Sequence, residues 1–280
     1  MSTETRSRAA RTAQRAVPRR EAADAPGPLR GLRHVLALAG RSLVKTARTP
    51  EALLDVTVQP VVFLLLFTYV FGGAISGGDR HEYLQALVPG VIAQSLALGG
   101  FALGQNLNAD IENGVFDRFR SLPIARSAPL VGAVLADVVR YLLVFTVLVV
   151  AGSVLGFRVQ TGALDVVAAL GVSVAFGLSF CWISVLVGML ARSPGAVQGV
   201  MFMLVMPLTF GSNVFVPADS MPGWLEAFVR VNPVTHLVDV VRGLLLGGPV
   251  AGPLTWTVAW MVGLVAVFAP LAVRAYRRRA

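Results

Sequence analysis

"VVAALGVSVAFGLSFCWISVLVGMLA" occupies residues 166–191 and contains no Asp, Glu, Lys or Arg. A helix crosses the hydrocarbon core of a bilayer with about 20 apolar residues, so this run points away from a soluble domain. Five more runs behave the same way. Residues 56–78, 83–109, 141–157, 193–218 and 243–273 also lack those four residue types. The run that starts at Tyr141 borrows a little of its flank; the others are long enough alone. The chain is therefore expected to be an all-α integral membrane protein with six transmembrane helices, at about 56–75, 85–106, 130–155, 166–190, 195–215 and 253–273. Barrel strands would alternate apolar and polar residues over about 10 positions, and these runs do not. The overall composition agrees, with 55% hydrophobic and 14% charged residues.

The net charge is +9, and its location fixes an orientation. Nineteen Lys or Arg lie before Asp55, between spans two and three, between spans four and five, or in the tail. Four lie on the other side: Arg80, Arg158, Arg230 and Arg242. The positive-inside rule then places both termini in the cytoplasm. That orientation accounts for the basic N-terminus without nucleic acid, and none is expected as a partner. One Lys against twenty-three Arg is a mark of a GC-rich bacterial genome, so the location expected is a bacterial plasma membrane. Cys181 is the single cysteine, which excludes an intrachain disulfide. Residues 1–28 carry no apolar stretch of the signal-peptide kind and read as a disordered basic tail. Residues 29–280 read as one transmembrane domain.

Within 29–49, Leu29, Leu32, Leu36, Ala39 and Leu43 follow helical spacing, and Arg30, Arg33, Arg41, Lys45 and Arg48 fall opposite. This is an amphipathic helix suited to membrane lipid headgroups, either as a topology anchor or with a mechanical role. Gln59-Pro60 predicts a kink in the first span. Gly100/Gly104, Gly152/Gly156 and Gly195/Gly199 have the spacing that lets helix backbones approach closely. Trp256 and Trp260 near one end of the last span, with Tyr276 near the other, fit an interfacial belt.

Before the last span, "SMPGWLEAFVRV" and "NPVTHLVDVVRGLLLGG" read as two short amphipathic helices. Asn232 fits an N-cap, Pro233 the first helical position and Gly247 the C′ position. From Pro233 to Leu246 such a helix is only about 20 Å long, too short to cross. Leu244, Leu245 and Leu246 favour a segment that dips into the membrane from outside and returns, over a plain loop helix.

No catalytic set is present. His34, His81 and His236 are scattered, no Cys/His cluster has metal-ligand spacing, and neither a GxSxG nor a P-loop pattern occurs. Asp137 and Arg140, three apart and near the inner boundary of span three, read as a structural ion pair rather than a proton relay. The chain has a pathway without an engine. "ENGVFDRFRSLPIAR" (112–126) then stands out as a dense charged segment on the cytoplasmic side. If it is helical, Glu112, Phe116 and Phe119 share a face. Aromatics framed by charges suit insertion into another protein's groove, and they equally suit a loop helix on headgroups.

This segment resembles the cytoplasmic coupling helix of ABC-2-type permeases, in particular the membrane subunits of daunorubicin-resistance-type drug exporters. The pattern is Glu112, Gly114, Arg118, Phe119 and Leu122-Pro123. "FVPADSMPGWLEAFVRVNPVTHLVDVVRGLLLGG" is similar to that family's outer re-entrant segment. The resemblance covers about residues 30 to 275. It implies that Glu112, Gly114, Phe116, Asp117, Arg118, Phe119, Leu122 and Pro123 contact a separate ABC ATPase. It implies an outer gate containing Trp224, Asn232, Pro233, His236, Asp239, Arg242 and Gly243, and makes 29–49 an elbow helix. This chain would then be no enzyme and hold no cofactor; Mg-ATP would sit on the partner. A second permease subunit, expected to be identical, would complete the pathway. The cargo implied is an amphipathic drug-like or lipid-like compound. The alternatives are a lipid-linked polysaccharide exporter and, in other classes, a membrane scaffold or an intramembrane enzyme.

Overall fold

The computed structural model describes residues 50–72, 79–113 and 128–279. These are helical almost throughout and include no strand. The helix expected at 29–49 and the basic tail lie outside them. In chain order the helices are α1 (Pro50–Leu66), α2 (Arg80–Glu112), α3 (Ala128–Leu155), α4 (Ala163–Leu190), α5 (Pro194–Phe210), α6 (Gly223–Val231), α7 (Pro233–Leu246) and α8 (Ala251–Arg279). A π-helical turn at Phe67–Phe71 extends α1. Among the described residues, four helices are long and apolar enough to cross a membrane: α2, α3, α4 and α8. Two shorter apolar segments, Thr57–Phe71 and Pro194–Phe210, complete the apolar set.

Local chemistry sets most helix ends. Asp79 starts α2 by accepting from the His81 and Glu82 N–H groups at 2.9 and 3.2 Å. Ser193 starts α5 by accepting from Ala196, and Pro194 occupies the first turn, where a missing N–H costs nothing. The same helix stops at Phe210, short of the 215 expected from its apolar run. Pro207 leaves one carbonyl without a helical donor, and the chain turns away after Gly211.

At the centre of the bundle stands α2, packed against α1, α3, α4, α5 and α7. Of its apolar window 67% is buried, against 17% for α8. Its closest crossing is with α4. A Cβ on Gly104 would lie 2.7 Å from the Ser184 carbonyl oxygen, and one on Gly188 would lie 2.6 Å from that of Gly104. One turn along α2, a Cβ on Gly100 would meet the Ser184 hydroxyl at 2.8 Å. Asn108 closes the contact by donating to the Gly188 and Ala191 carbonyls at 2.9 and 3.0 Å, where α4 runs out of its own donors. The other two glycine pairs differ. Gly152 stands against Val88, Gly156 takes a φ of +115° at the end of α3, and nothing lies within 4 Å of a Cβ on Gly195 or Gly199.

Asp137 and Arg140 lie on α3, in the half nearer its start. The helix starts at Ala128, so Asp137 lies about 14 Å along it. The Cys181 thiol on α4 donates to its carboxylate at 3.7 Å. Tyr276, expected in an interfacial belt, is buried in the core.

The crossing of α2 and α4 has no room for a methyl group. Gly188→Ala should lower the thermal unfolding midpoint of the detergent-solubilised protein, with an overpacking cost of about 1–3 kcal/mol. Gly263→Ala, which meets nothing within 4 Å, should hold or raise that midpoint, because alanine is the better helix former.

A polar cap at one end of the bundle

The end of the bundle where α2, α4 and α8 begin is covered by α6 and α7. The helix α7 runs from Pro233 to Leu246 with Asn232 as its N-cap and Gly247, at φ +83°, after its last residue. It is held along its length. At its start, Asn232 is 2% exposed and joins two elements. Its Oδ1 accepts from the Val234 N–H at 2.9 Å, and its Nδ2 donates to the Leu208 and Gly211 carbonyls at 2.7 and 2.6 Å. One asparagine thus starts α7 and ends α5. At the other end, the Gln160 N–H and the Thr161 hydroxyl donate to the Leu245 and Leu244 carbonyls at 2.9 and 2.5 Å.

Between these ends lies a charged brace. Arg242 donates to the Ala86 carbonyl on α2 at 3.1 Å and to the Asn213 carbonyl at 3.3 Å, and stands 3.7 Å from the Asp239 carboxylate. Asn213 donates to Asp239 at 2.6 Å. Burial lowers the Arg242 pKa, and the neighbouring Asp239 carboxylate opposes that shift. The guanidinium is held by carbonyls and a carboxylate because even a partly buried cation without them would be costly. Beside the brace, His236 stacks on Trp256 of α8 with ring centres 5.8 Å apart. Burial lowers the His236 pKa, with Asp239 pulling the other way. A cleft lined by Glu82, Asn213, Asp219 and Arg242 opens over the brace.

Of the residues expected in an outer gate, Asn232, Pro233, His236, Asp239 and Arg242 lie together here. Gly243 lies under the turn that follows α7, where a Cβ would meet Val250 at 2.9 Å. Trp224 stands apart, 75% exposed on α6. Asn213, Thr161 and the Ala86 carbonyl are equal members of the cap that sequence reasoning missed. Only the polar "GSN" that follows α5 hinted at the first of them. In the charged segment, Glu112 ends α2. Gly114, Phe116, Asp117, Arg118, Phe119, Leu122 and Pro123 lie outside the described residues.

Two outcomes follow from these contacts. Asn232→Ala strips a cap and strands buried carbonyls, so the unfolding midpoint should fall by an equivalent of about 2–3 kcal/mol; Trp224→Ala should leave it in place. The depressed pKa of His236 means that the fold prefers the neutral ring. Its contribution is complete above the ordinary histidine value of about 6.5 and is lost as pH falls through the lower folded value. Trp256 fluorescence should therefore titrate with a midpoint below 6.5, and His236→Gln should remove that transition while the other three tryptophans stay as they were.

The comparisons with known proteins cover most of the chain. The family model described as ABC-2 type transporter matches residues 33–246. The chain is 41% identical over 239 residues to the daunorubicin resistance ABC transporter permease protein DrrB1 of Streptomyces coeruleorubidus, covering 85% of this chain and 84% of that one. It is 28% identical to a probable doxorubicin resistance ABC transporter permease protein, DrrC, of Mycobacterium tuberculosis, covering 87% and 88%. It is 26% identical to the inner membrane transport permease YadH of Escherichia coli, covering 68% and 75%. Multi-pass helices, a polar cap and a match over most of the length lead to one placement: the chain belongs to the ABC-2 type transporter family, as a membrane permease subunit.

Proposed function

We propose that this chain is the membrane half of an ATP-driven exporter of amphipathic, drug-like compounds. The observation that carries the reading is the identity to a permease named for daunorubicin resistance, spread over 85% of the chain. In this reading α1 with its π turn and α5 join the four longer helices as spans, giving six. The excess of basic residues puts both termini in the cytoplasm. The capped end then faces outward, with α7 dipping into the membrane as a re-entrant gate over the pathway. A second copy of the chain forms the other wall.

The motive force enters from a separate ABC ATPase that binds Mg-ATP. Glu112 ends α2, the helix on which α1, α3, α4 and α5 pack, so a push on the segment after it reaches the centre of the bundle directly. Phe116 and Phe119 fill a cleft in the ATPase, Glu112, Asp117 and Arg118 set the orientation, and Gly114, Leu122 and Pro123 shape the ends of the segment. Aromatic anchors of this kind typically cost about 2 kcal/mol or more on truncation.

The test is the double variant Phe116→Ala with Phe119→Ala, co-expressed with the ATPase. ATPase recovered with the permease should fall at least tenfold and daunorubicin export from cells should cease, with the amount of permease in the membrane unchanged. Full recovery of the ATPase together with normal export would show that the segment only rests on headgroups.

A further inference from the structure

The helix α6 turns three different faces to three surroundings. Successive residues advance about 100° around a helix axis. Trp224, Phe228 and Val231 therefore form one stripe, Leu225 and Val229 a second, and Glu226 and Arg230 a third. The second stripe packs inward, and Val229 has no exposed surface. The third faces water. Arg230 donates to Glu226 from its Nε at 3.0 Å, and its side chain is 74% exposed. Both residues line the cleft that also holds His236 and Asp239. The first stripe is the open one: Trp224 is 75% exposed, Val231 62% and Phe228 42%. An apolar stripe turned away from a charged pair, with a tryptophan in it, suits the boundary between lipid headgroups and acyl chains.

The position of α6 agrees. A Cβ on Gly211 would lie 2.7 Å from the Phe228 ring, so the stripe sits at the level where α5 ends. Phe210, the last residue of α5, is exposed next to Gly211 and continues the apolar surface. At the same end of the bundle Trp256, five residues after the start of α8, is exposed as well. A second copy of the chain is the other candidate cover. Whole aromatic side chains bring about 150–250 Å² each, so this stripe falls well short of the roughly 800 Å² per partner that a stable protein interface takes. Lipid chains need no such minimum.

We propose that α6 is a lipid-binding helix. Its face of Trp224, Phe228 and Val231 rests on phospholipid chains just beneath the headgroups of the leaflet at the capped end, while Glu226 and Arg230 stay in water. The helix lies in that boundary and does not cross it. Asn232, which caps α7, follows Val231 directly, so the lipid contact reaches the start of α7 through one residue. The proposal needs the chain to span a membrane and does not depend on what it exports.

The test uses the purified full-length protein in lipid nanodiscs. Emission of the parent protein minus that of Trp224→Phe isolates Trp224 from the other three tryptophans. Phosphatidylcholine brominated near the carbonyl end of its chains should quench Trp224 at least twice as strongly as phosphatidylcholine brominated near the chain ends. Aqueous iodide should quench it less than the first lipid does. Strong iodide quenching with none from the lipids would mean that the stripe faces water. No quenching by any of the three would mean that protein, such as a second copy, covers it. Stronger quenching from the chain ends would place α6 deep in the bilayer. Each of these results overturns the proposal, and so does unfolding by Trp224→Phe, which would show that protein contacts hold the ring.

Discussion

Where α2 crosses α4, the backbone carbonyl of Gly104 occupies the place a side chain on Gly188 would need. Inside a bilayer there is little hydrophobic force to press one apolar helix against another, since lipid tails are as apolar as leucine. Contact must come from close packing and from polar ties. The Gly104–Gly188 approach supplies the first. Asn108, bonded to the last carbonyls of α4, supplies the second. Because α2 also touches α1, α3, α5 and α7, this one crossing sets the position of nearly every other helix.

The sequence carries local decisions well and distant ones poorly. The ends of α7 are readable because Asn232, Pro233 and Gly247 act on their own backbone within a turn. The apolar runs are readable because length alone decides whether a helix can cross. The three glycine pairs look alike as text, yet one makes the central crossing, one splits between a contact and a helix end, and one meets nothing. What separates them is the surface of the partner helix, which spacing does not encode. The same limit hid Asn108, Asn213 and the contact between Tyr141 and Cys181, residues forty apart in the chain. The part proposed for 112–126 rests on resemblance, and most of that segment lies outside the described residues.

The cap and the crossing are built from different interactions, and that difference decides which can move. At the crossing, backbone meets backbone, and separating the helices would strip Asn108 of its two partners on α4. At the cap, most ties run from side chains to backbone: Asn232 to Leu208 and Gly211, Arg242 to Ala86 and Asn213, Thr161 to Leu244. Each can be broken without unwinding a helix, and those of Arg242 leave groups that line the cleft beside Glu82 and Asp219. A force applied along α2 therefore meets a stiff joint near the end away from the cap and a separable one at the capped end. Arg242 binds the Ala86 carbonyl on α2 itself, so a displacement of that helix acts directly on the brace that ties α7 to it.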